Sequence, residues 1–180
     1  MRDPKPQEQD DSQKIGKVMI WVAWIIGLLL LVWFFQSKLD AQWNPNQQPQ
    51  SQMSASGTEQ VVLERNRYGH YVTAGTINQQ NALFMLDTGA TSVSIPMEIA
   101  DKYGLERQGS HLVQTANGSV RVYATTIDEL SIGNINLYNV RANINPGMNG
   151  QEILLGMSAL KQLDFSQKGK FLHLNVPQNP

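Results

Sequence analysis

The 180-residue chain contains no cysteine, which excludes a disulfide framework, a thiol nucleophile and any zinc site built on thiolates. That absence fits an oxidising compartment and a reducing one equally well. Histidine is scarce, with three residues in all. His70, His111 and His173 lie far apart, and none falls in a metal-ligand spacing such as HExxH. No metal site is therefore expected. Charge is sparse too: Asp, Glu, Lys and Arg make up 16% of the residues, and the formal net charge is −1. From Val61 onward nine acids balance nine bases, with no Lys/Arg run, so no nucleic-acid partner is expected. There is no internal repeat.

One stretch is rich in what the rest lacks. From Val18 to Phe35 every residue is apolar or Gly, and 20 uncharged residues separate Lys17 from Lys38. As a helix this interval measures about 30 Å, the thickness of a bilayer's hydrocarbon core. Trp21, Trp24 and Trp33 lie towards its ends, where indole rings favour the interface. Residues 18–37 are thus expected to be a transmembrane helix with the lipid bilayer as partner. A cleaved signal peptide would call for an apolar core of about 7–15 residues and a small-x-small cleavage site, whereas this core is longer and runs into Phe34-Phe35-Gln36-Ser37-Lys38. Arg2, Lys5, Lys14 and Lys17 precede the span, and only Lys38 follows it before Arg65. That bias puts the N-terminus in the cytoplasm and the C-terminal domain outside the membrane. Residues 1–17, polar and without apolar periodicity, read as a disordered cytoplasmic tail. Residues 38–60, dominated by Gln, Asn, Pro and Ser, read as a flexible linker.

Residues 61–177 change in texture to short strand-like runs separated by turn signals, the pattern of a small all-β domain. Strands are expected at 61–64, 70–78 and 82–86. A short helix is expected from Ser94-Ile95-Pro96 to Gly104, with Ile95, Ile99, Ala100 and Tyr103 as its apolar face. Asn117-Gly118, between strand-type residues at 111–123, marks a hairpin. Ser131-Ile132-Gly133-Asn134-Ile135 marks a second tight turn, and 143–150 a Gly, Pro and Asn loop. Met157, Leu160 and Leu163 share a face of another short helix, and a last strand covers 171–176.

The chemistry concentrates in Phe84-Met85-Leu86-Asp87-Thr88-Gly89-Ala90-Thr91-Ser92-Val93. Asp87 directly follows an apolar strand, where a buried carboxylate is costly unless paired. A small hydroxyl residue and Gly then allow the sharp turn that presents it as a positioned acid or base. This stretch resembles the active-site loop of aspartic proteases. Downstream, Glu152-Ile153-Leu154-Leu155-Gly156-Met157-Ser158-Ala159-Leu160 resembles the second signature of the retropepsin group, an apolar pair and Gly leading into a short helix. The two motifs stand in that group's order and at about its separation.

The resemblance, which covers about 61–176, is to retropepsin-like aspartic proteases, most of all the single-pass, membrane-anchored type of bacteria. It implies a closed β-barrel lobe with one or two short helices, a domain in the periplasm anchored in the inner membrane, and cleavage of peptide or protein substrates. Asp87 would be the catalytic residue, with Thr88, Gly89 and Ala90 as the active-site loop. Thr88 would cross-bond the two loops of a dimer. Thr115, Ala116, Asn117, Gly118 and Ser119 would be the tip of a flap over the substrate, with Tyr123 a possible contact. Peptide hydrolysis by carboxylates needs two of them sharing a proton. The chain has one Asp-Thr-Gly, since neither Asp128-Glu129-Leu130 nor Asp101 or Asp164 stands in such a turn. The second aspartate would therefore come from another copy in a symmetric homodimer, and neither metal nor organic cofactor is required. An acidic optimum follows from a shared proton. A different class of function stays open, a non-catalytic retropepsin-fold module that binds or scaffolds peptides, and so does a β-domain in which Asp87-Thr88-Gly89 is merely a turn.

Overall fold

Along Ile135–Asn145 the residues Ile135, Leu137, Val140, Ala142 and Ile144 are buried while most of their neighbours are exposed, the signature of strands with one face on a core. The computed structural model describes residues 7–53, 59–115 and 118–177. It divides into two units, Met1–Asp40 and Ala41–Pro180. Helix α1, Gln7–Trp43, accounts for the first. Within it Ile15–Trp43 is long and apolar enough to cross a membrane, and none of its most apolar window is buried. Trp21, Trp24 and Trp33 are each more than 70% exposed, on a helix whose 18–35 stretch is apolar all round. The disordered-tail reading is corrected over residues 7–17, which are helical. A helix already nucleated by the apolar run propagates into preceding Gln, Glu, Asp and Lys at little cost. Residues 1–6 of that tail lie outside the described residues.

Among its described residues the second unit has eleven strands and two short helices: β1 Gln50–Met53, β2 Glu59–Glu64, β3 Tyr71–Ile77, β4 Gln80–Leu86, β5 Val93–Pro96, α2 Met97–Lys102, β6 Ser110–Thr115, β7 Gly118–Ile132, β8 Ile135–Asn145, β9 Glu152–Leu155, α3 Met157–Leu160, β10 Asp164–Lys168 and β11 Phe171–Asn175. One sheet runs β3-β4-β9-β5-β8-β7-β6, and β3 also pairs with β7 through Thr76↔Ser131 and Ile77↔Leu130. That extra pairing closes six of the strands into a barrel and leaves the β6–β7 hairpin projecting from it. Closure requires glycine where the strands converge: a Cβ on Gly75 would lie 2.2 Å from the Ser131 carbonyl oxygen. Phe84, Ile95, Ile127, Ile144, Ile153 and Leu155 fill the interior. The second sheet, β1-β2-β11-β10, is antiparallel throughout, and its Val61, Leu63 and Leu174 join the same core.

The closed all-β lobe agrees with expectation, and two local readings need correction. Residues 38–60 are not a flexible linker over their described length. Helix α1 runs to Trp43, Asn46 is buried and bridges to Thr73, and β1 pairs with β2 from Gln50↔Val62 to Met53↔Glu59. A segment with nothing apolar to bury docks through its amides instead: the Asn46 side chain donates to the carbonyls of Glu64 and Val72 and accepts from the Glu64 N–H. Second, Ser94-Ile95-Pro96 ends a strand rather than opening a helix, because Val93–Pro96 pair with β8. Pro96 is the N-cap of α2, so Ile95 belongs to the barrel core. Strand β10 was not among the expected elements: it has no apolar alternation, since all five of its residues are exposed, and so it left no trace in the hydrophobic pattern.

Candidate active site

Strand β4 delivers Asp87 to the end of the barrel. It pairs in parallel with β9, Leu86 beside Leu155, and the Asp87 N–H continues the ladder by donating to the Leu155 carbonyl at 3.2 Å. The chain then turns on its own carboxylate: the Gly89 N–H donates to Asp87 Oδ1 at 2.9 Å and the Ala90 N–H to the Asp87 carbonyl at 3.2 Å. This is the self-bonding that suits Asp to turns. It holds one carboxylate oxygen and leaves Oδ2 without a partner among the described residues. Thr88 and Gly89 are exposed, and the Thr88 hydroxyl has no hydrogen-bond partner among the described residues.

The second signature motif holds the loop from behind. The Met157 N–H donates to the Ala90 carbonyl at 2.8 Å, and the Val93 N–H donates to Ser158 Oγ at 2.9 Å. Ser158 Oγ in turn donates to the Arg141 carbonyl on β8, and Asn143 Nδ2 donates to Ser92 Oγ at 2.8 Å. Gly156 is where the two motifs touch, since a Cβ there would meet the carbonyl oxygens of Ser92 at 2.4 Å and Ala90 at 2.7 Å. Both neighbours are backbone and cannot swing aside. Gly156→Ala is therefore expected to push the Asp87 loop off its seat and destabilise the fold by about 1–3 kcal/mol. Thermal unfolding checks the second effect, and loss of the Met157 N–H protection in hydrogen exchange checks the first.

Asp87 faces a cleft of about 520 Å³ between the loop and the β6–β7 hairpin, with Ser94, Val113, Thr115, Val122, Met148 and Leu154 among its walls. Of the five flap residues, Thr115 lines this cleft and donates its hydroxyl to the Gly118 carbonyl. Gly118 and Ser119 do not line it, Ser119 bonding to Gln114 instead, and Ala116 and Asn117 lie outside the described residues. Tyr123 is not among the residues that line this cleft: it packs on the core beneath the Arg107 guanidinium, 5.2 Å from the ring centre. Asp87 is the sole carboxylate among the cleft-lining residues. Asp101 is engaged by Arg107 on the surface. Among the described residues no three of His, Asp and Glu cluster as a metal would need. Ser92, Asn143 and Ser158 are the supporting residues that sequence reasoning passed over. Only their closeness to the two motifs, or for Asn143 nothing at all, marked them.

A cleft with one aspartate on an Asp-Thr-Gly turn, backed by a Gly-led helix, narrows the choice of family, and sequence comparison decides it. Residues 73–162 match the model of the gag-polyprotein putative aspartyl protease family. The chain belongs to that family. The fold is retropepsin-like: a crystal structure of a retropepsin-like aspartic protease from Rickettsia conorii is similar, with a TM-score of 0.53, 29% identity, and coverage of 65% of this chain and 90% of that one. An uncharacterized protein from the cobV 5′ region of Sinorhizobium is 32% identical over 116 residues, 63% of this chain and 50% of its own length. An uncharacterized protein of Rickettsia prowazekii (strain Madrid E) is 27% identical over 106 residues, 57% of this chain and 45% of its own. The chain spans about half the length of these curated relatives.

Proposed function

We propose that this retropepsin-like protein is a membrane-anchored aspartic endopeptidase whose two catalytic carboxylates are Asp87 and Asp87 of a partner subunit. The observation that carries the reading is the solitary carboxylate: a cleft able to take an extended peptide, on a family scaffold for peptide hydrolysis, holds one Asp where the chemistry needs two. In the dimer one Asp87 takes a proton from water as base while the other, protonated, donates to the scissile carbonyl. The exposed Thr88 hydroxyl supports the reading, being free to bond across the two-fold axis. Peptide would lie extended under the β6–β7 flap, held by backbone hydrogen bonds as an added strand is. The apolar helix anchors the domain with its N-terminus in the cytoplasm and the domain on the far face, periplasmic in a bacterium with two membranes. Two anchored copies diffuse in a plane, which raises their effective concentration.

Full-length protein in vesicles is expected to cleave a mixed peptide library at a rate that climbs more steeply than in proportion to protein per lipid, levelling to proportionality once dimers saturate. Strict proportionality from the most dilute sample upward would contradict the two-copy site. Peptide binding without any cleavage would instead favour the scaffolding module.

A further inference from the structure

Charge is spread unevenly over the β lobe. From Val61 onward the nine bases and nine acids cancel. Four of those bases, Arg65, Arg67, Lys168 and Lys170, nevertheless gather at one end of the sheet β1-β2-β11-β10, with a single acid, Glu64. Strand pairing puts them there: Phe171 pairs with Glu64 on one side and with Lys168 on the other, and the Arg65 N–H donates to the Lys170 carbonyl at 2.8 Å. Four bases against one acid leave this end at +3, and the remaining five against eight leave the rest at −3. All four cations are exposed. Lys170 is bridged to Glu64 at 2.7 Å, an exposed pair that is held weakly. Arg65, Arg67 and Lys168 have no ion-pair partner among the described residues.

The same end receives the chain from α1. Asn66 Nδ2 donates to the Trp43 carbonyl at 3.0 Å, Arg67 Nη1 donates to Gln42 Oε1 at 2.7 Å, and the Tyr68 ring lies 5.5 Å from that of Trp43. Gln42 is neutral, so Arg67 keeps its charge uncompensated. Tyr68 and Phe171 are exposed, beneath the Arg67 guanidinium and the Lys170 ammonium. A cationic patch set with aromatic rings suits the boundary between lipid headgroups and water. Trp43 is the last residue of α1 and stands eight residues beyond Phe35, the end of the apolar run, about 12 Å at helical rise. With the apolar run in a bilayer, the headgroup layer takes up about half of that length, which keeps Trp43 within about a Debye length of the lipid phosphates. The charges between the two, Lys38 and Asp40, cancel.

We infer that the lobe binds the membrane surface through this end, with Arg65, Arg67, Lys168 and Lys170 on the phosphates of anionic lipids and Trp43, Tyr68 and Phe171 among the headgroups. The inference rests on the proposed anchoring for what lies next to the patch, while the patch itself rests on the lobe's own charge distribution. Each Lys or Arg brought to an anionic surface strengthens binding by roughly 5-fold. The tether holds the patch beside that surface, so a modest intrinsic affinity is enough. The negative remainder of the lobe is repelled, which favours one orientation.

The test uses full-length protein in vesicles of neutral phosphatidylcholine and in vesicles with about one-third anionic phosphatidylglycerol. A membrane-impermeant amine reagent, read by mass spectrometry, reports the accessibility of Lys168 and Lys170, with exposed Lys102 on α2 as the reference in the same molecules. Relative to Lys102, both are expected to react at least about 5-fold more slowly in the anionic vesicles, and high salt is expected to erase the difference. Equal ratios in the two membranes would overturn the inference. Arg65→Gln with Arg67→Gln is expected to restore most of the labelling without lowering Tm, whereas Arg65→Lys with Arg67→Lys keeps the charge and the protection. Protection that survived the glutamine pair would mean that lipid charge acts elsewhere, and would also overturn it. Alkaline extraction of the vesicles reads the anchor separately: protein that washes off refutes the anchor, while protein that stays but labels equally in both membranes refutes the docking alone.

Discussion

Asp87→Asn is expected to abolish peptide cleavage by the full-length protein, with kcat falling by roughly 10³-fold or more, the scale of a lost general acid or base. The substitution is nearly isosteric, and the new side-chain oxygen still accepts from the Gly89 N–H, the bond that shapes the turn. Unfolding temperature and the hydrogen-exchange protection of the Asp87 and Ala90 N–H groups should therefore stay as they are. That separates chemistry from folding. The two-copy site adds a sharper expectation. When wild type and Asp87→Asn are mixed in equal amounts in the same vesicles, half of all dimers are hybrids, each holding one carboxylate and an amide. Activity falls to about a quarter of that of the same total of wild type, because only symmetric wild-type pairs retain the dyad. A monomeric enzyme would keep half. The ratio is read from initial rates at fixed protein per lipid, and a value of one half would contradict the shared site even if the mutant alone were inert. Undiminished cleavage by the pure mutant would remove Asp87 from the chemistry altogether.

What the sequence made legible, and what it did not, divides by the kind of force involved. The barrel was legible because burial writes a pattern: Ala82 and Phe84 on β4, or Ile135, Leu137 and Ile144 on β8, are hydrophobic since one face meets the core. The Asp87 turn was legible because few residue types form it, and Gly156 because few fit against the Ala90 and Ser92 carbonyls. Strand β10 and the 38–53 region were not legible, because hydrogen bonds rather than apolar burial fix them. Strand β10 is exposed along its whole length and exists because β11 offers it a ladder. Ser51 illustrates the same point, accepting from the Asn134 N–H and donating to the Asn134 side chain in the β7–β8 turn, a meeting of two short polar residues that no periodicity announces. The helix placed at Ser94 failed for a related reason. Pro96 in a first turn is a local signal, and tertiary pairing of Val93–Pro96 with β8 overrode it.

The largest stability effect outside the site is expected at Asn46, in the region whose composition reads as a linker. This side chain makes three hydrogen bonds: Nδ2 donates to the carbonyls of Val72 at 2.7 Å and Glu64 at 2.9 Å, and Oδ1 accepts from the Glu64 N–H at 2.7 Å. Its main chain accepts from the Ala74 N–H and donates to Asn44 Oδ1. In effect one amide stands in for a strand between the end of β2 and the start of β3. Asn46→Ala takes this partner from the buried Val72 carbonyl and from the part-buried Glu64 carbonyl and N–H, at about 1–3 kcal/mol for an unsatisfied buried group with some relief where water enters. A loss of about 3 kcal/mol, or roughly 10 °C in Tm, is expected from thermal unfolding of the full-length protein in detergent. Asn46→Asp tests the mechanism more finely. It keeps the acceptor for Glu64 but turns a lone pair and a charge on two carbonyls, so it should be the more damaging change, although it is the closer in shape. If Asp were tolerated and Ala were not, the contribution would be packing and not the amide. The consequence reaches the catalytic loop, because Tyr71 and Val72 pair with Leu86 and Met85, the residues that lead into Asp87. A soluble piece begun at Gln60 discards Asn46 together with β1. It is expected to lose stability and cleavage together, whereas one begun at Ala41 keeps the clamp and with it the strand that positions the aspartate.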